Sequence, residues 1–412
     1  MRTVIRNNFS VLRDGNVRNL FLGQITSGIG DQFNLLVTSF WIYKLSGSAF
    51  YASLLPIAKV ISIIFLGAFV GTLADRCDAR KMYILVTALQ AIVTLLMFCC
   101  NHIHFLIASS VLMNILGLAA TSSRGVLKKT MLTSGSFKKL NSVSTLIQTP
   151  MAIIMPAIAA AVVSTIEFRW AYFIDAISFM VALCFYSRIK SEDKNKSNDH
   201  LLEKKSSITH ILDGMKYITN NKQILFLLTM IILGNMGFCA FHYVYVLGQT
   251  IASKGVIGVG VVNSAMAVGG FIMSSALAFL NQQSFSSIRT LSMVSLLNGL
   301  ATTIFLFTTD IIPTVLLVVL ISATDEIVEM TEENILFDII SERFFGVVNS
   351  YLNIAHRIIS LLFIPIYGLA VDKLGIHNAL GISGFFIIFS GIIGILLVRK
   401  KRLIQFKEIE YA

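Results

Sequence analysis

Charged residues are scarce in this 412-residue chain: Asp, Glu, Lys and Arg make up only 13%, about half the share of a typical soluble domain. Proline is also rare, with five residues, and nothing repeats at a solenoid period. Apolar residues reach 55% and the mean hydropathy is +0.78, so the chain could not keep its surface wet. A set of soluble domains is excluded, and the composition predicts a polytopic α-helical membrane protein.

Cysteine and the common catalytic motifs are equally sparse. The five cysteines fall mostly inside apolar runs and have no CxxC spacing, which argues against a disulfide framework or a zinc site. The sequence has no GxxxxGK[ST] phosphate loop, no nucleophile elbow and no HExxH motif. We therefore expect no use of ATP, no enzyme activity, no bound metal and no cofactor.

Apolar runs long enough to cross a bilayer, which takes ~20 residues, occur twelve times. They lie at roughly 20–43, 50–73, 82–100, 105–127, 140–164, 170–187, 224–246, 256–280, 290–309, 311–334, 348–370 and 378–398. The expected fold class is an all-α membrane protein with twelve transmembrane helices.

Positive charge indicates the orientation of these helices. If the N-terminus is cytoplasmic, 27 of the 33 Lys and Arg fall in inside segments and four in outside loops. By the positive-inside rule this asymmetry predicts that both termini are cytoplasmic. The net charge of +11 is then a topology signal, and we expect no nucleic-acid partner.

One long polar stretch divides the helices into two groups of six. Residues 187–223 begin as a solvated linker and end in a short amphipathic segment, which predicts a helix at the inner membrane face. The expected domains are residues 1–186, this linker, and residues 224–412 with a basic tail. Two halves joined by a cytoplasmic linker are typical of parallel-repeat secondary transporters.

The segment Gly71–Lys81 reads GTLADRCDARK and resembles the loop-2/3 signature of the major facilitator superfamily, G-x-L-A-D-R-x-G-R-K. Its D-R-x-D run, the Asp175–Phe179 stretch and the Leu212–Ile218 stretch are similar to the branch containing the macrolide-efflux proteins and the enterobactin exporter. Gly71 would let helices approach closely. The resemblance implies a cytoplasmic latch, in which Asp75, with Arg76 and Arg80, holds the start of helix eleven.

Other superfamily signatures are changed in this chain. The helix-five antiporter motif G-P-x-x-G-G is replaced by Met155–Ala160, where Pro156 is expected to bend the helix and the small residues would still permit close contact. Met113 lies where many antiporters place an arginine in helix four. If this chain couples to protons, that arginine is not the means.

Two ionisable residues of the first half are expected deep in the membrane. Asp31 lies 12 residues after Asn19, roughly 18 Å from the cytoplasmic end. Lys59 lies 16 residues before Asp75, about 24 Å from that end. Since helices one and two are neighbours, we predict an Asp31–Lys59 pair. The pair could be structural, or Asp31 could take up a proton, release Lys59 and change the affinity for cargo.

Helix ten ends in an acidic stretch, in which Asp325, Glu329 and Glu332 share one face at i, i+4 and i+7. Helix eleven carries His356 and Arg357 at a similar depth, roughly 15 Å inside its cytoplasmic start. We therefore predict ion pairs between these helices, and expect at least one crowded carboxylate to be protonatable near neutral pH. Glu332 fits a solvated helix end better than a buried site.

Together these features predict a secondary transporter that exports a small amphiphilic, macrolide-like molecule by proton antiport and alternating access. Export of a siderophore or metallophore, and movement of a lysophospholipid, stay open as alternatives. A transporter-shaped membrane sensor is disfavoured, because a linker of 37 residues is too short for an extra soluble domain. We expect a monomer in a bacterial-type cytoplasmic membrane, with the lipid bilayer, cargo and protons as partners.

Overall fold

The computed structural model describes residues 9–100, 102–165, 167–189, 216, 218–243, 246–248, 255–277, 287–340 and 342–400. These residues form twelve α-helices of 17 residues or more and no β-strand. In chain order the helices are α1 Gly15–Ser46, α2 Ala49–Arg76, α3 Ala79–Cys99, α4 Ile103–Met131, α5 Ser134–Thr165, α6 Arg169–Ser187, α7 Lys222–Phe238, α8 Gly255–Leu277, α9 Ile288–Ile304, α10 Ile311–Ile339, α11 Glu342–Leu374 and α12 Ile376–Lys400. Short 3₁₀ turns follow α7 and α9, at Cys239–Tyr243 and Phe305–Phe307.

Eleven of these helices, α2 to α12, are long and apolar enough to cross a membrane. Their apolar segments are 19 to 29 residues long, with mean hydropathies between 1.5 and 2.3. A helix satisfies its backbone hydrogen bonds internally, which is the requirement for a segment surrounded by lipid. The prediction of an all-α membrane protein is confirmed.

Several helices extend past the apolar runs that predicted them. α4 continues to Met131 although its run ends near residue 127, and α10 continues to Ile339 although its run ends near 334. The cations Arg124, Lys128 and Lys129 therefore lie in α4 itself. The apolar run predicts only the part of a helix that is surrounded by lipid. The helix itself is longer, because its backbone hydrogen bonds continue into the polar sequence that follows.

Short polar side chains define where helices begin. Asp14 caps α1 by accepting hydrogen bonds from the backbone amides of Asn16, at 2.8 Å, and Val17, at 3.4 Å. Asp78 caps α3 in the same way, accepting from the amides of Arg80 and Lys81. A carboxylate at this position satisfies amides that have no partner in the first turn of a helix.

The first compact unit comprises Met1–Leu202 and Tyr243–Ser264. In it α1 packs along α6, α3 packs on α4 and α6, and α2 packs on α4. Glycine makes the approach of α1 to α6 close, because a Cβ on Gly23 would collide with the ring of Tyr186. A Cβ on Gly30 would collide with Asp175 and Ser178. Small residues at such contacts are the usual means of packing helices in lipid.

The second compact unit comprises Glu203–His242 and Ala265–Ala412. In it α12 packs on α7 and α9, α9 packs on α10, and α11 packs on α7 and α12. Gly299 of α9 and Gly384 of α12 lie at a close contact. A Cβ on Gly299 would lie 3.0 Å from the carbonyl oxygen of Gly384, and a Cβ on Gly384 would lie 2.9 Å from that of Gly299. The contacts α7–α12 and α9–α12 repeat α1–α6 and α3–α6 six helices later. The chain is therefore built from two related groups of helices.

The compact units differ from the predicted domains in one respect. The beginning of α8, up to Ser264, belongs to the first unit, because Gly260 packs on α5. The sequence placed the boundary in the linker at 187–223. Most of that linker, with its predicted amphipathic helix, lies outside the described residues.

Candidate functional site

Asp31 is exposed although it lies near the middle of a 32-residue helix. It is 16 residues after the start of α1, about 24 Å along the helix axis. Its neighbour Gly30 is buried against α6, which fixes the face of α1 that packs and leaves the carboxylate of Asp31 beside that contact. A carboxylate this deep in a helix of a membrane protein is a candidate functional group.

The electrostatic partner of Asp31 is Arg124 of α4. The same guanidinium also interacts with the hydroxyl of Tyr83 in α3. Tyr83 and Tyr186 of α6 are both buried, and their hydroxyl oxygens are hydrogen-bonded at 2.9 Å. Four helices, α1, α3, α4 and α6, therefore contribute to one polar cluster, defined here as the Asp31 cluster: Asp31, Tyr83, Arg124 and Tyr186.

The predicted Asp31–Lys59 pair is not formed. Both side chains are described, and no ion pair within 4.0 Å joins them. Lys59 is exposed on α2. Similar height in the membrane was the basis of that prediction, and height does not specify which face of a helix a side chain occupies.

A second carboxylate, Asp175 of α6, lies beside the Asp31 cluster and interacts electrostatically with Asp31. Asp175 is completely buried. The side-chain amide of Asn34 donates a 2.7 Å hydrogen bond to it, and Thr38 donates a 2.7 Å bond to the amide oxygen of Asn34. A buried carboxylate needs such donors to offset the loss of water. These hydrogen bonds join α1 to α6 and so determine which face of α1 packs on α6. The position of Asp31 beside that contact follows from this packing.

The acidic face of α10 forms a cluster of like charges. Asp325 interacts electrostatically with Glu326 and Glu329, and Glu332 interacts with Asp325 and Glu329. Glu326, which lies next to Asp325 on the same helix, accepts a 2.7 Å hydrogen bond from Ser274 of α8. Within the described part of the chain, no three His, Cys, Asp or Glu side chains converge as metal ligands would. The predicted solvated position fits Glu329 better than Glu332, since Glu329 is exposed and Glu332 is half-buried.

The predicted ion pairs between α10 and α11 are absent among the described side chains. His356 instead contacts Asn235 of α7, with 3.2 Å between its Nε2 and the Asn235 Nδ2. Arg357 is half-buried and forms no ion pair with a described carboxylate. The reason is packing: α11 lies principally against α7 and α12, whereas α10 lies principally against α9.

The family pattern that matches this sequence is the Major Facilitator Superfamily, over residues 20–331. The chain belongs to the Major Facilitator Superfamily. It is accordingly a multi-pass membrane transporter, and the superfamily expected from the Gly71–Lys81 segment is confirmed. The more specific resemblance to macrolide-efflux and enterobactin-exporting proteins stays a prediction.

Solved facilitator structures share the fold at low sequence identity. The nucleoside transporter NupG is 13% identical, with a TM-score of 0.71 over 92% of this chain and 99% of its own. A bacterial homologue of the iron transporter ferroportin, in its inward-facing state, is 14% identical, with a TM-score of 0.70 over 92% and 98%. A bacterial homologue of the human lysosomal transporter Spinster is 12% identical, with a TM-score of 0.67 over 96% and 99%. No similar sequence occurs among curated proteins.

The facilitator loop-2/3 signature is described only in part. Arg80 donates a 2.9 Å hydrogen bond from Nη2 to the carbonyl oxygen of Ser187, at the end of α6. It therefore ties the start of α3 to the end of α6 within the first unit. The side chains of Asp75 and Arg76 and the surroundings of Gly71 are not described, so the latch that the resemblance implies stays a prediction.

The altered helix-five motif does permit a close helix contact. A Cβ on Gly260 of α8 would meet the Cβ of Ala160, and it would lie 2.8 Å from the carbonyl oxygen of Pro156 and 3.4 Å from the Cα of Ala157. Small residues at 157 and 160 thus allow α5 and α8 to approach closely at this point. The bend expected at Pro156 stays a prediction.

Sequence reasoning missed Arg124, Tyr83 and Tyr186. One signal for Arg124 was available, because Gly125, Val126 and Leu127 continue the apolar run beyond it. A cation followed by a further apolar turn is a candidate for a position inside the helix. The two tyrosines carry no comparable signal, since a Tyr near a helix end is equally typical of a membrane interface.

Proposed function

We propose that this transporter exports a small amphiphilic molecule in exchange for protons, by alternating access. The observation that carries the proposal is Asp31, a carboxylate in the middle of α1 that is exposed at the surface of the chain and whose electrostatic partner is Arg124. An exposed carboxylate can exchange a proton with water, and its neighbours then respond to the change of charge.

The change of charge acts on Arg124. While Asp31 is ionised, it attracts the guanidinium. Once Asp31 is protonated, that attraction is lost and Arg124 can bind an acceptor on the cargo. Proton and cargo then depend on one cluster, and linkage requires each to change the affinity for the other. This reciprocity is the thermodynamic basis of coupled transport.

The acidic face of α10 supplies a second place where protons can be held. Asp325 and Glu329 interact as like charges, and no described Lys or Arg forms an ion pair with either. The repulsion between such groups falls when one of them is protonated. We propose Asp325 and Glu329 as the proton-binding groups of the second unit.

The direction and the cargo rest on the sequence resemblance to macrolide-efflux proteins. Export of a siderophore or metallophore, and movement of a lysophospholipid, are the alternatives within transport. A membrane sensor that moves nothing is the alternative outside it. A polar cluster of two tyrosines, an arginine and an aspartate favours a cargo with at least one polar or charged group.

We further propose that α1 spans the membrane with the other eleven helices, which places both termini in the cytoplasm. The protein would function as a monomer in a bacterial cytoplasmic membrane. It would use the proton gradient and require neither ATP, an enzymatic step nor a cofactor.

Purified full-length protein in proteoliposomes tests this function. Erythromycin, enterobactin and lysophosphatidylethanolamine are offered separately to vesicles that contain a trapped pH dye and have an acidic lumen. We expect accumulation of at least one compound together with alkalinisation of the lumen, and a protonophore should abolish the accumulation. Movement of cargo that ignores the gradient would contradict antiport, and no movement of any compound would favour the sensor.

A further inference from the structure

Arg357 is a cation within the membrane-crossing part of α11 that has no ion-pair partner among the described residues. It lies six residues after the start of the apolar segment Tyr351–Leu374, about 9 Å along the helix axis. It is half-buried, and no described carboxylate lies within 4.0 Å of it. An unpaired charge at such a depth is costly and is normally balanced by another group.

The acidic face of α10 in the same compact unit does not supply that balance. Asp325, Glu329 and Glu332 interact with each other, and Glu326 is bonded to Ser274 of α8. All of them belong to α10, which packs on α9 and α8, whereas Arg357 belongs to α11. We therefore expect the negative charge that balances Arg357 to come from a group outside the described residues.

His356, the residue next to Arg357, is held in the tautomer whose proton lies on Nδ1, and this N–H can donate a hydrogen bond. The side-chain nitrogen of Asn235 is 3.1 Å from the carbonyl oxygen of Ile231, which fixes it as a donor. The same nitrogen is 3.2 Å from Nε2 of His356, so Nε2 must act as the acceptor. The proton of a neutral imidazole then lies on Nδ1. His356 can thus offer an N–H to a ligand without carrying a charge.

We propose that Arg357 and His356 form a subsite for an oxyanion, either a carboxylate or a phosphate, on an amphiphilic ligand. The planar fork of a guanidinium matches both groups with two parallel hydrogen bonds. The inference deepens the proposed function, because it names the chemical group by which cargo would bind the second unit. A lipid headgroup could present the same chemistry.

Binding of hexyl phosphate and hexanoate to the full-length protein in phosphatidylcholine nanodiscs tests the subsite, with hexylammonium as the ligand of opposite charge. We expect Arg357→Gln to weaken hexyl phosphate binding at least tenfold. Arg357→Lys should give an intermediate affinity, since a single ammonium lacks the fork. Arg289→Gln is the matched control, because Arg289 is an exposed cation of the same compact unit and its loss should leave the affinity within about twofold.

The thermal stability of the ligand-free protein is the second readout. Because Arg357 has no ion-pair partner in the described part of the chain, Arg357→Gln should melt at or above the temperature of the native chain. A variant that fails to fold would reveal a structural partner and overturn the proposal, as would unchanged hexyl phosphate binding or equal loss in Arg289→Gln. Competition by phosphatidate in the nanodisc would identify a lipid headgroup as the occupant, and absence of competition would identify soluble cargo; both support the subsite. No proton gradient is used, so failure of the proposed antiport leaves this result intact.

Discussion

Arg124 of α4 is the cation that interacts with Asp31 of α1, and it also interacts with the hydroxyl of Tyr83 in α3. One guanidinium therefore relates the exposed carboxylate to a buried pair of tyrosines. A change of charge at Asp31 therefore alters the electrostatic interactions of residues on three other helices of the first unit, α3, α4 and α6. This relationship is the physical basis for assigning the coupling to Asp31.

A double-mutant cycle on Asp31 and Arg124 should show coupling. We expect Asp31→Asn and Arg124→Gln to have an interaction free energy of about 1–2 kcal/mol in reversible SDS unfolding, because the two charges interact electrostatically within one cluster. The cycle of Asp31→Asn with Lys59→Gln is the matched control. Because Arg124, and not Lys59, is the cation that interacts with Asp31, those two effects should add within about 0.5 kcal/mol. Strong coupling to Lys59 and none to Arg124 would contradict the described cluster.

The two glycines of α1 around Asp31 should respond differently to a methyl group. Gly30→Ala should destabilise the protein by about 1–3 kcal/mol, because its Cβ would collide with Asp175 and Ser178. Gly28→Ala should be neutral or stabilise by up to ~1 kcal/mol, since nothing lies within 4 Å of its Cβ position and alanine favours helix. SDS unfolding of the two variants at equal expression measures the difference. Equal stabilities would show that α1 does not pack on α6 through Gly30.

Periodicity and hydropathy were sufficient to predict the helices, because lipid imposes the same length and composition on every span. The partners of the charges could not be predicted in that way. Asp31 and Lys59 were paired by height alone, whereas the packing of α1 on α6 and the length of α4 bring Arg124 to Asp31. Arg357 was assigned to the acids of α10 by the same reasoning, and helix packing separates them. Residues that meet across helices depend on the rotation of each helix, which one sequence does not specify.

The cytoplasmic latch is tested by Asp75→Asn. We expect transport to fall at least tenfold at equal protein level, because the implied latch depends on the negative charge of Asp75 near the positive end of another helix, and Asn removes that charge. Asp78→Asn, three residues away, is the control. Asn is as good a helix cap as Asp, so α3 should keep its start and transport should stay within about twofold of the native rate. A transport rate in Asp75→Asn equal to that of the native protein would show that the motif serves only to orient the helices in the membrane.

The orientation is tested by labelling single cysteines in a chain whose five native cysteines are replaced. Lys373→Cys, at the end of α11, should react with an impermeant maleimide added to intact cells. Lys81→Cys, at the start of α3, should react only after permeabilisation. Both side chains are exposed, so access through the membrane decides the outcome. Reaction of Lys81→Cys from outside would reverse the proposed topology.

Transport by Asp31→Asn under an imposed pH gradient tests the central claim most directly. The substitution keeps the shape of the side chain and mimics the protonated carboxylate permanently. In proteoliposomes with the compound that the native protein accumulates, we expect loss of gradient-driven accumulation, while exchange of labelled for unlabelled cargo at equal pH continues. Accumulation that still follows the gradient in Asp31→Asn would contradict the account, and the proton would then have to be carried elsewhere, with Asp325 and Glu329 as the next groups to substitute.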